Sequence, residues 1–327
     1  DTGSGKTQLA RDVMSYFGDK SMFILGRNDM DTRELFQQIN LEKLRTGQSS
    51  ADLKELTDKV NYHLIVVDEL PNCVPAVRAQ LFNLFDGFVE INGKAYPIGQ
   101  GYSIGIATGN IGQKFTESSN DLGRALKDRM HVIVDTDYFI ATPGDTLELL
   151  ALDTNPRVNF SDQTTEGCTK IMDGYKQIVE SAVPLEKLLI TNYLLHGLDH
   201  CSKGSKRKMK DAWPTQLENH EQGSDVGLVL PVSPRAAKSI IRLSQSLDHV
   251  AAQKGASADI IEKNYFDSMM QAYKFVSAYS GILNNAMVDA TYTGDNYKAL
   301  DAIITTTNQE FKKQGDTEKA NICLENA

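Results

Sequence analysis

The chain has 327 residues, 41% hydrophobic and 24% charged, enough to bury a sizeable core in two or three domains. Its net charge of −9 argues against a nucleic-acid partner gripped mainly by phosphate neutralisation and leaves room only for a local basic patch. No apolar run approaches the length of a membrane span, so no membrane partner is expected, and Cys73, Cys168, Cys201 and Cys323 lack C-x-x-C spacing, as suits reduced thiols in a cytoplasmic protein.

Residues 1–7 read Asp-Thr-Gly-Ser-Gly-Lys-Thr, the last seven positions of the phosphate-loop pattern G-x-x-x-x-G-K-[ST]. The pattern's first glycine and the strand that feeds the loop are expected upstream of Asp1. Gly3, Ser4 and Gly5 would turn successive backbone N–H groups toward phosphate oxygens, and Lys6 would set a compact positive charge against the β- and γ-phosphates. The Thr7 hydroxyl would serve a magnesium ion. Leu9, Ala10, Val13, Met14 and Phe17 follow at helical spacing, which puts the phosphates at a helix N-terminus.

From there to about residue 142, compact apolar runs alternate with helical patterns, as a parallel sheet with crossover helices requires. The runs 22–25, 63–67, 102–107 and 130–134 predict strands buried on both faces. Beyond residue 145 the strand signal fades and amphipathic helices are expected over 175–195, 234–250 and 260–279. The expected division is therefore an α/β core over 1–142, an all-helical domain over 143–281 and a helical or polar tail over 282–327.

The second run ends in Asp68-Glu69. An acidic pair at a strand end lies on the carboxyl edge of a sheet, where an open α/β fold binds its ligand. Asp68 would hold magnesium through water and Glu69 would polarise an attacking water; a merely solvated strand end is the plainer alternative. Pro75 suits a first helical turn, and Val77, Leu81, Leu84 and Phe85 continue that helix. Next, Phe88 to Pro97 alternates around Asn92-Gly93, the signature of a tight hairpin. The run Ser103 to Asn110 (SIGIATGN) then ends in a carboxamide that could reach a phosphate or water, or could simply close a turn.

This constellation resembles the AAA+ ATPases, specifically the MoxR-like and dynein-related branch that carries a hairpin inside its second helix. The features matching in order are Gly5-Lys6-Thr7, Asp68-Glu69, the hairpin 88–97 and Asn110. The stretch Asp121-Leu-Gly-Arg-Ala-Leu-Lys-Asp-Arg-Met130 is similar to the family's L-x-x-A-L-x-D-R-[FM]. The resemblance implies that Arg129 is the finger offered to a neighbouring subunit, with Arg124, one helical turn away, as competitor. Val232-Ser-Pro-Arg-Ala-Ala237 matches the lid motif S-P-R-A and implies a second-sensor role for Arg235. Ser233 as N-cap and Pro234 at the first helical position place that arginine in a first turn, where it is electrostatically out of place unless it faces an anion. One departure stands out: the family continues D-E-[IL]-N-[RK]-[AST]-P, whereas this chain reads Asp-Glu-Leu-Pro-Asn-Cys-Val-Pro over 68–75, without the basic residue.

The resemblance covers roughly residues 1–280 and implies an ATP-hydrolysing ring subunit, hexameric in that family's manner, with ATP and magnesium as cofactors. Glu69, Asn110, Arg129 and Arg235 would be catalytic; Gly3, Ser4, Gly5, Lys6 and Thr7 would bind nucleotide; Thr7 and Asp68 would bind metal. It further implies a chaperone or remodelling role, with a von Willebrand A domain protein as client. A nucleic-acid motor built on the same type of ring is the alternative, as is a chain without turnover. Lys203, Lys206, Arg207, Lys208 and Lys210 form a basic cluster that fits a solvated lid loop or an acidic partner surface. His196, His200 and Cys201 have no further ligand pair placed to close a tetrahedral metal site.

Overall fold

A computed structural model describes residues 4–27, 29–30, 35–39, 54–91, 93–110, 127–138, 141–151, 166–197 and 232–305. The chain divides into two compact units, Asp1–Leu122 with Asp135–Asp173, and Gly123–Val134 with Gly174–Ala327. Gly3, Arg124, His200, Cys201, the basic cluster 203–210 and Cys323 lie outside the described residues.

The first unit is built on a three-stranded parallel sheet of β1 (Ser21–Leu25), β4 (Leu64–Asp68) and β7 (Ile104–Ala107), with β4 in the middle. Register runs from Ser21 opposite Leu64 to Leu25 opposite Asp68, and from Leu64 opposite Ile104 to Val67 opposite Ala107. All five residues of β4 are buried, which explains why this strand is an unbroken apolar run rather than an alternating one. Helix α1 (Lys6–Phe17) lays Ala10 and Phe17 on Leu64 and Val66, and Cys168 of helix α4 (Glu166–Glu180) joins the same cluster. Burial pushes both the Cys73 and Cys168 thiols up from their ordinary pKa, so these two free cysteines behave as small apolar groups.

Helix α2 (Pro75–Phe85) starts at Pro75 and buries Val77, Leu81, Phe82 and Leu84. Phe85 fills the space beside Gly105, where a Cβ would lie 2.0 Å from the ring. The hairpin of β5 (Phe88–Ile91) and β6 (Lys94–Pro97) follows at the expected place, antiparallel, with Gly93 at φ 75° in its turn. A second antiparallel pair, β2 (Gln37–Ile39) with β3 (Lys54–Leu56), was not legible in the sequence. Helix α3 (Pro143–Ala151) completes the described elements of this unit.

The expected strand over 130–134 does not form. The segment is irregular and belongs to the helical unit, where the Tyr297 hydroxyl donates to the Ile133 carbonyl at 3.4 Å and His131 Nδ1 lies 2.7 Å from Ser239 Oγ. Side chains on helices, not a strand ladder, meet the Ile133 carbonyl and the His131 ring.

In the helical unit, α5 (Leu185–Gly197), α6 (Pro234–Gln253), α8 (Tyr265–Ser277), α9 (Asn285–Tyr292) and a last helix over 296–305 enclose one core that includes Ile190, Ile240, Met269, Tyr273, Val288 and Leu300; the short α7 (Ala258–Lys263) precedes α8. Residues 282–305 are thus core, not tail: Val288, Tyr297, Leu300 and Ile303 are buried, and only the outward polar residues between them made the segment read as polar. Two expected helices are broken. The helical pattern over 175–195 is interrupted between α4 and α5 at Pro184, which has no N–H to continue the first helix and instead accepts from Leu188 N at 3.2 Å as the second begins. The pattern over 260–279 breaks at Asn264, whose side chain donates to the Ile260 carbonyl at 2.7 Å and competes with the helical ladder. Lys187 lies wholly buried between α5, α6 and α8, bonded to Asp248, Ser244 and Ser268, and its ammonium sits below its ordinary pKa because burial disfavours charge. Among the described residues, no helix is long and apolar enough to cross a membrane.

Candidate active site

Gly5 caps α1 in the left-handed conformation (φ 77°, ψ 9°), with no side chain closing the helix end and no acidic residue in the first turn. A helix that begins this way keeps its first N–H groups and its positive dipole end available to an anion. The Lys6 ammonium donates to Ser4 Oγ at 3.1 Å, and Ser4 Oγ lies 2.9 Å from Thr136 Oγ1. One residue on, the Thr7 hydroxyl lies 3.0 and 3.2 Å from the two carboxylate oxygens of Asp68. Loop and acidic strand end, 61 residues apart, therefore meet.

Asp68 is 8% exposed and also accepts from the Thr108 hydroxyl. Thr108 is the residue just past β7, and because Ala107 stands opposite Val67, the parallel register sets Thr108 beside Asp68. Its hydroxyl oxygen accepts from Glu69 N at 3.3 Å, its carbonyl accepts from Leu70 N at 3.0 Å and its own N–H donates to the Val67 carbonyl at 2.9 Å. Thr108 thus ties the acidic pair to the neighbouring strand.

Glu69 is exposed and sits at φ 57°, ψ 38°, a left-handed backbone that an L-residue with a long side chain adopts at a cost. The turn Leu70–Asn72 holds it there: Asn72 N donates to the Glu69 carbonyl at 2.9 Å, and Asn72 Nδ2 to Glu69 Oε2 at 3.0 Å. The carboxylate is therefore aimed by an amide side chain rather than left to rotate. Neither Asn72 nor Thr108 was assigned a role from sequence, although strand register could have exposed Thr108.

Asn110 follows two residues after Thr108, and its carboxamide Oδ1 is buried with no hydrogen-bond partner. Buried acceptors are nearly always satisfied, so this one waits for a donor such as a water O–H. Between them, Gly109 packs on Pro71 so closely that a Cβ would lie 2.3 Å from Pro71 Cδ. Gly109→Ala is expected to push the strand end off the turn and misplace Asn110. ATP turnover should fall about tenfold or more, while nucleotide affinity holds. Steady-state kinetics beside a binding titration checks this.

Arg129 and Arg235 lie in the helical unit. Ser233 caps α6 as expected, its side chain accepting from Ala236 N at 3.0 Å with Pro234 at the first helical position. Arg235, in that first turn, donates from Nη1 to Asp128 Oδ2 at 3.3 Å.

The oxygen pair of Thr7 and Asp68 fits magnesium, which takes one or two protein oxygens and fills its shell with phosphates and water. No cluster of three or more His, Cys, Asp or Glu side chains able to hold a metal occurs among the described residues.

Residues 1–130 match the family model of the AAA domain, dynein-related subfamily. Over this segment the chain is similar to that subfamily. The match takes in the phosphate loop, Asp68-Glu69, the hairpin, Asn110 and Arg129. In fold, the chain is similar to the crystal structure of a "putative ATPase" from Cytophaga hutchinsonii, with a TM-score of 0.57 and 15% sequence identity over 90% of this chain and 79% of that one. At that identity the likeness is one of fold, and it extends beyond the AAA domain into the helices that follow. No curated protein matches the chain.

Proposed function

We propose that this protein is a magnesium-dependent ATPase that works as a ring, in the manner of MoxR-like members of the AAA+ class. The observation that carries the reading is the Thr7–Asp68 contact, with Glu69 fixed one residue further on. Lys6 and the N–H groups at the start of α1 would bind the β- and γ-phosphates. Thr7 and Asp68 would hold magnesium, which would supply positive charge against the charge developing on the phosphates. Glu69 would orient the attacking water, and the orphaned Oδ1 of Asn110 would accept one of its protons as a hydrogen bond. The solved structure of similar fold carries the description "putative ATPase", which agrees with this class of reaction.

Arg129, assigned from the D-R-M segment, would complete the site of a neighbouring copy by stabilising charge on the transferred phosphoryl group. A finger of this kind implies a closed ring, which we take to be a hexamer. The further role of such a ring would be to remodel a protein client, with a von Willebrand A domain protein as the proposed partner. The acidic composition counts against a nucleic-acid motor.

Subunit mixing tests the shared site. Arg129→Ala and Glu69→Gln chains, each inactive alone, are expected to regain part of the activity when co-assembled, because some interfaces then pair an intact Glu69 with an intact Arg129. Mixed rings confirmed by native mass spectrometry yet silent in the assay would remove Arg129 from the role.

A further inference from the structure

We propose that Thr108 is a positioning residue for the magnesium site: its hydroxyl sets the Asp68 carboxylate so that one oxygen is committed to the protein and the other is left for the cation. The proposal rests on the assignment of Thr7 and Asp68 to magnesium, and it adds a residue that received no role from the sequence.

A hydroxyl has one proton to give, and its neighbours decide where that proton goes. The Glu69 N–H, which can only donate, meets Thr108 Oγ1 at 3.3 Å, whereas the Asp68 carboxylate on the other side can only accept. The Thr108 proton is therefore committed to Asp68 Oδ1. Thr7 faces the same acceptor, with its hydroxyl 3.0 Å from Oδ1 and 3.2 Å from Oδ2, so its proton also goes to the carboxylate. Oδ1 thus takes the Thr108 hydroxyl and the nearer approach of Thr7, and Oδ2 keeps more of its lone-pair capacity for a cation or a water bound to one. The Thr7 oxygen, acting as donor through its proton, keeps its lone pairs for the same ion.

Backbone contacts, not a free rotamer, place the Thr108 hydroxyl. Its β-branched side chain is stiff at χ1, and the main chain is fastened on both sides: its N–H donates to the Val67 carbonyl at 2.9 Å and its carbonyl accepts from Leu70 N at 3.0 Å. Val67 and Leu70 flank the acidic pair, so hydroxyl and carboxylate are carried on one hydrogen-bonded frame. Burial raises the stakes. Asp68 is only 8% exposed, and water cannot fully replace a donor that a buried carboxylate loses. The order Glu69 N–H to Thr108 O–H to Asp68 also joins the main chain of the water-orienting residue to the metal carboxylate through a single hydroxyl.

Magnesium titrations of the full chain with a fluorescent non-hydrolysable ATP analogue test the proposal, with folding followed by circular dichroism. Thr108→Val keeps the side chain's shape and deletes the hydroxyl. It is expected to raise the magnesium concentration at half-saturation about tenfold, as the loss of a hydrogen bond to a charged group would, while analogue affinity in EDTA stays within about twofold of the parent. Thr108→Ala should shift the midpoint in the same direction, and it decides the matter if the Thr108→Val chain fails to fold. Thr108→Ser, which restores the donor, should return the midpoint to within about threefold of the parent. A Thr108→Ser protein as weak as Thr108→Val, hydroxyl-deleted proteins with the parent's magnesium dependence, or equal losses of affinity in magnesium and in EDTA would overturn the proposal and leave the reading of Asp68 standing. A parent whose analogue binding ignores magnesium would remove the cation from the site, and the role of Thr108 with it.

Discussion

Glu69→Gln is expected to slow ATP hydrolysis by about a hundredfold or more while leaving nucleotide affinity within about twofold of the parent. Glutamine keeps the size of the side chain and an oxygen that Asn72 Nδ2 can still meet, so the turn Leu70–Asn72 should survive. What it loses is the negative charge that draws a proton from the attacking water. Affinity should hold because the groups assigned to phosphate and magnesium, Lys6, Thr7 and Asp68, hydrogen-bond to one another or to Ser4 and Thr108 rather than to the Glu69 carboxylate. Stopped-flow phosphate release and equilibrium titration separate the two quantities. A loss of affinity matching the loss of turnover would move Glu69 from water activation to nucleotide binding. The strained backbone at Glu69 gives this prediction independent support: a residue held at φ 57° against its preference is more readily understood as a positioned functional group than as a loop residue.

Asp68→Asn should act through the metal instead. The charge is lost, but a side-chain oxygen of the same reach remains to accept from Thr7 and Thr108, so the strand ends should stay joined. ATP affinity in magnesium is then expected to drop to the value the parent shows in EDTA. Turnover should fall about a hundredfold or more, since a bound cation supplies several kcal/mol of charge stabilisation to the transition state. Magnesium titrations of both proteins, read by nucleotide fluorescence, check this. An Asp68→Asn chain that keeps the parent's magnesium dependence would show that the carboxylate is only a structural acceptor.

The site was readable in the sequence wherever chemistry is carried by residue type at fixed local spacing. Gly-Lys-Thr before a helix, an apolar run ending in Asp-Glu, and Asn-Gly inside an alternating stretch each declare a conformation through their own backbone and side-chain preferences. The three parallel strands appear within two residues of their expected limits because each is a compact, mostly apolar run, although only the central β4 is buried throughout. What was not legible depends on contacts between distant segments. Residues 130–134 have the composition of a strand, yet the polar groups of Ile133 and His131 are met by Tyr297 and Ser239 on helices, and nothing within the run announces those partners. Thr108 and Asn72 were passed over for a related reason, since each matters through the residue it touches and not through a reactive group of its own. Asn72 also gives meaning to the departure at 70–73: in place of the family's basic residue, the chain has a turn of Pro71 packed on Gly109 and Asn72 bonded to the Glu69 carboxylate. The breaks at Pro184 and Asn264 were, by contrast, available locally. Proline without an N–H and asparagine with a competing amide are ordinary helix interrupters, and the strong apolar periodicity on either side masked them.

The central claim is that the Thr7, Asp68, Glu69 and Asn110 cluster directs water onto the γ-phosphate of ATP. It is tested most directly by running the reaction in water enriched in oxygen-18 and analysing the products by mass spectrometry, with Glu69→Gln protein as the control for contaminating phosphatases. We expect ADP and inorganic phosphate in equal amounts, at least one solvent oxygen in every phosphate released, no label in ADP, and loss of the signal in the control. Phosphate that carries no solvent oxygen, label in ADP, or equal release by the Glu69→Gln protein would contradict the assignment.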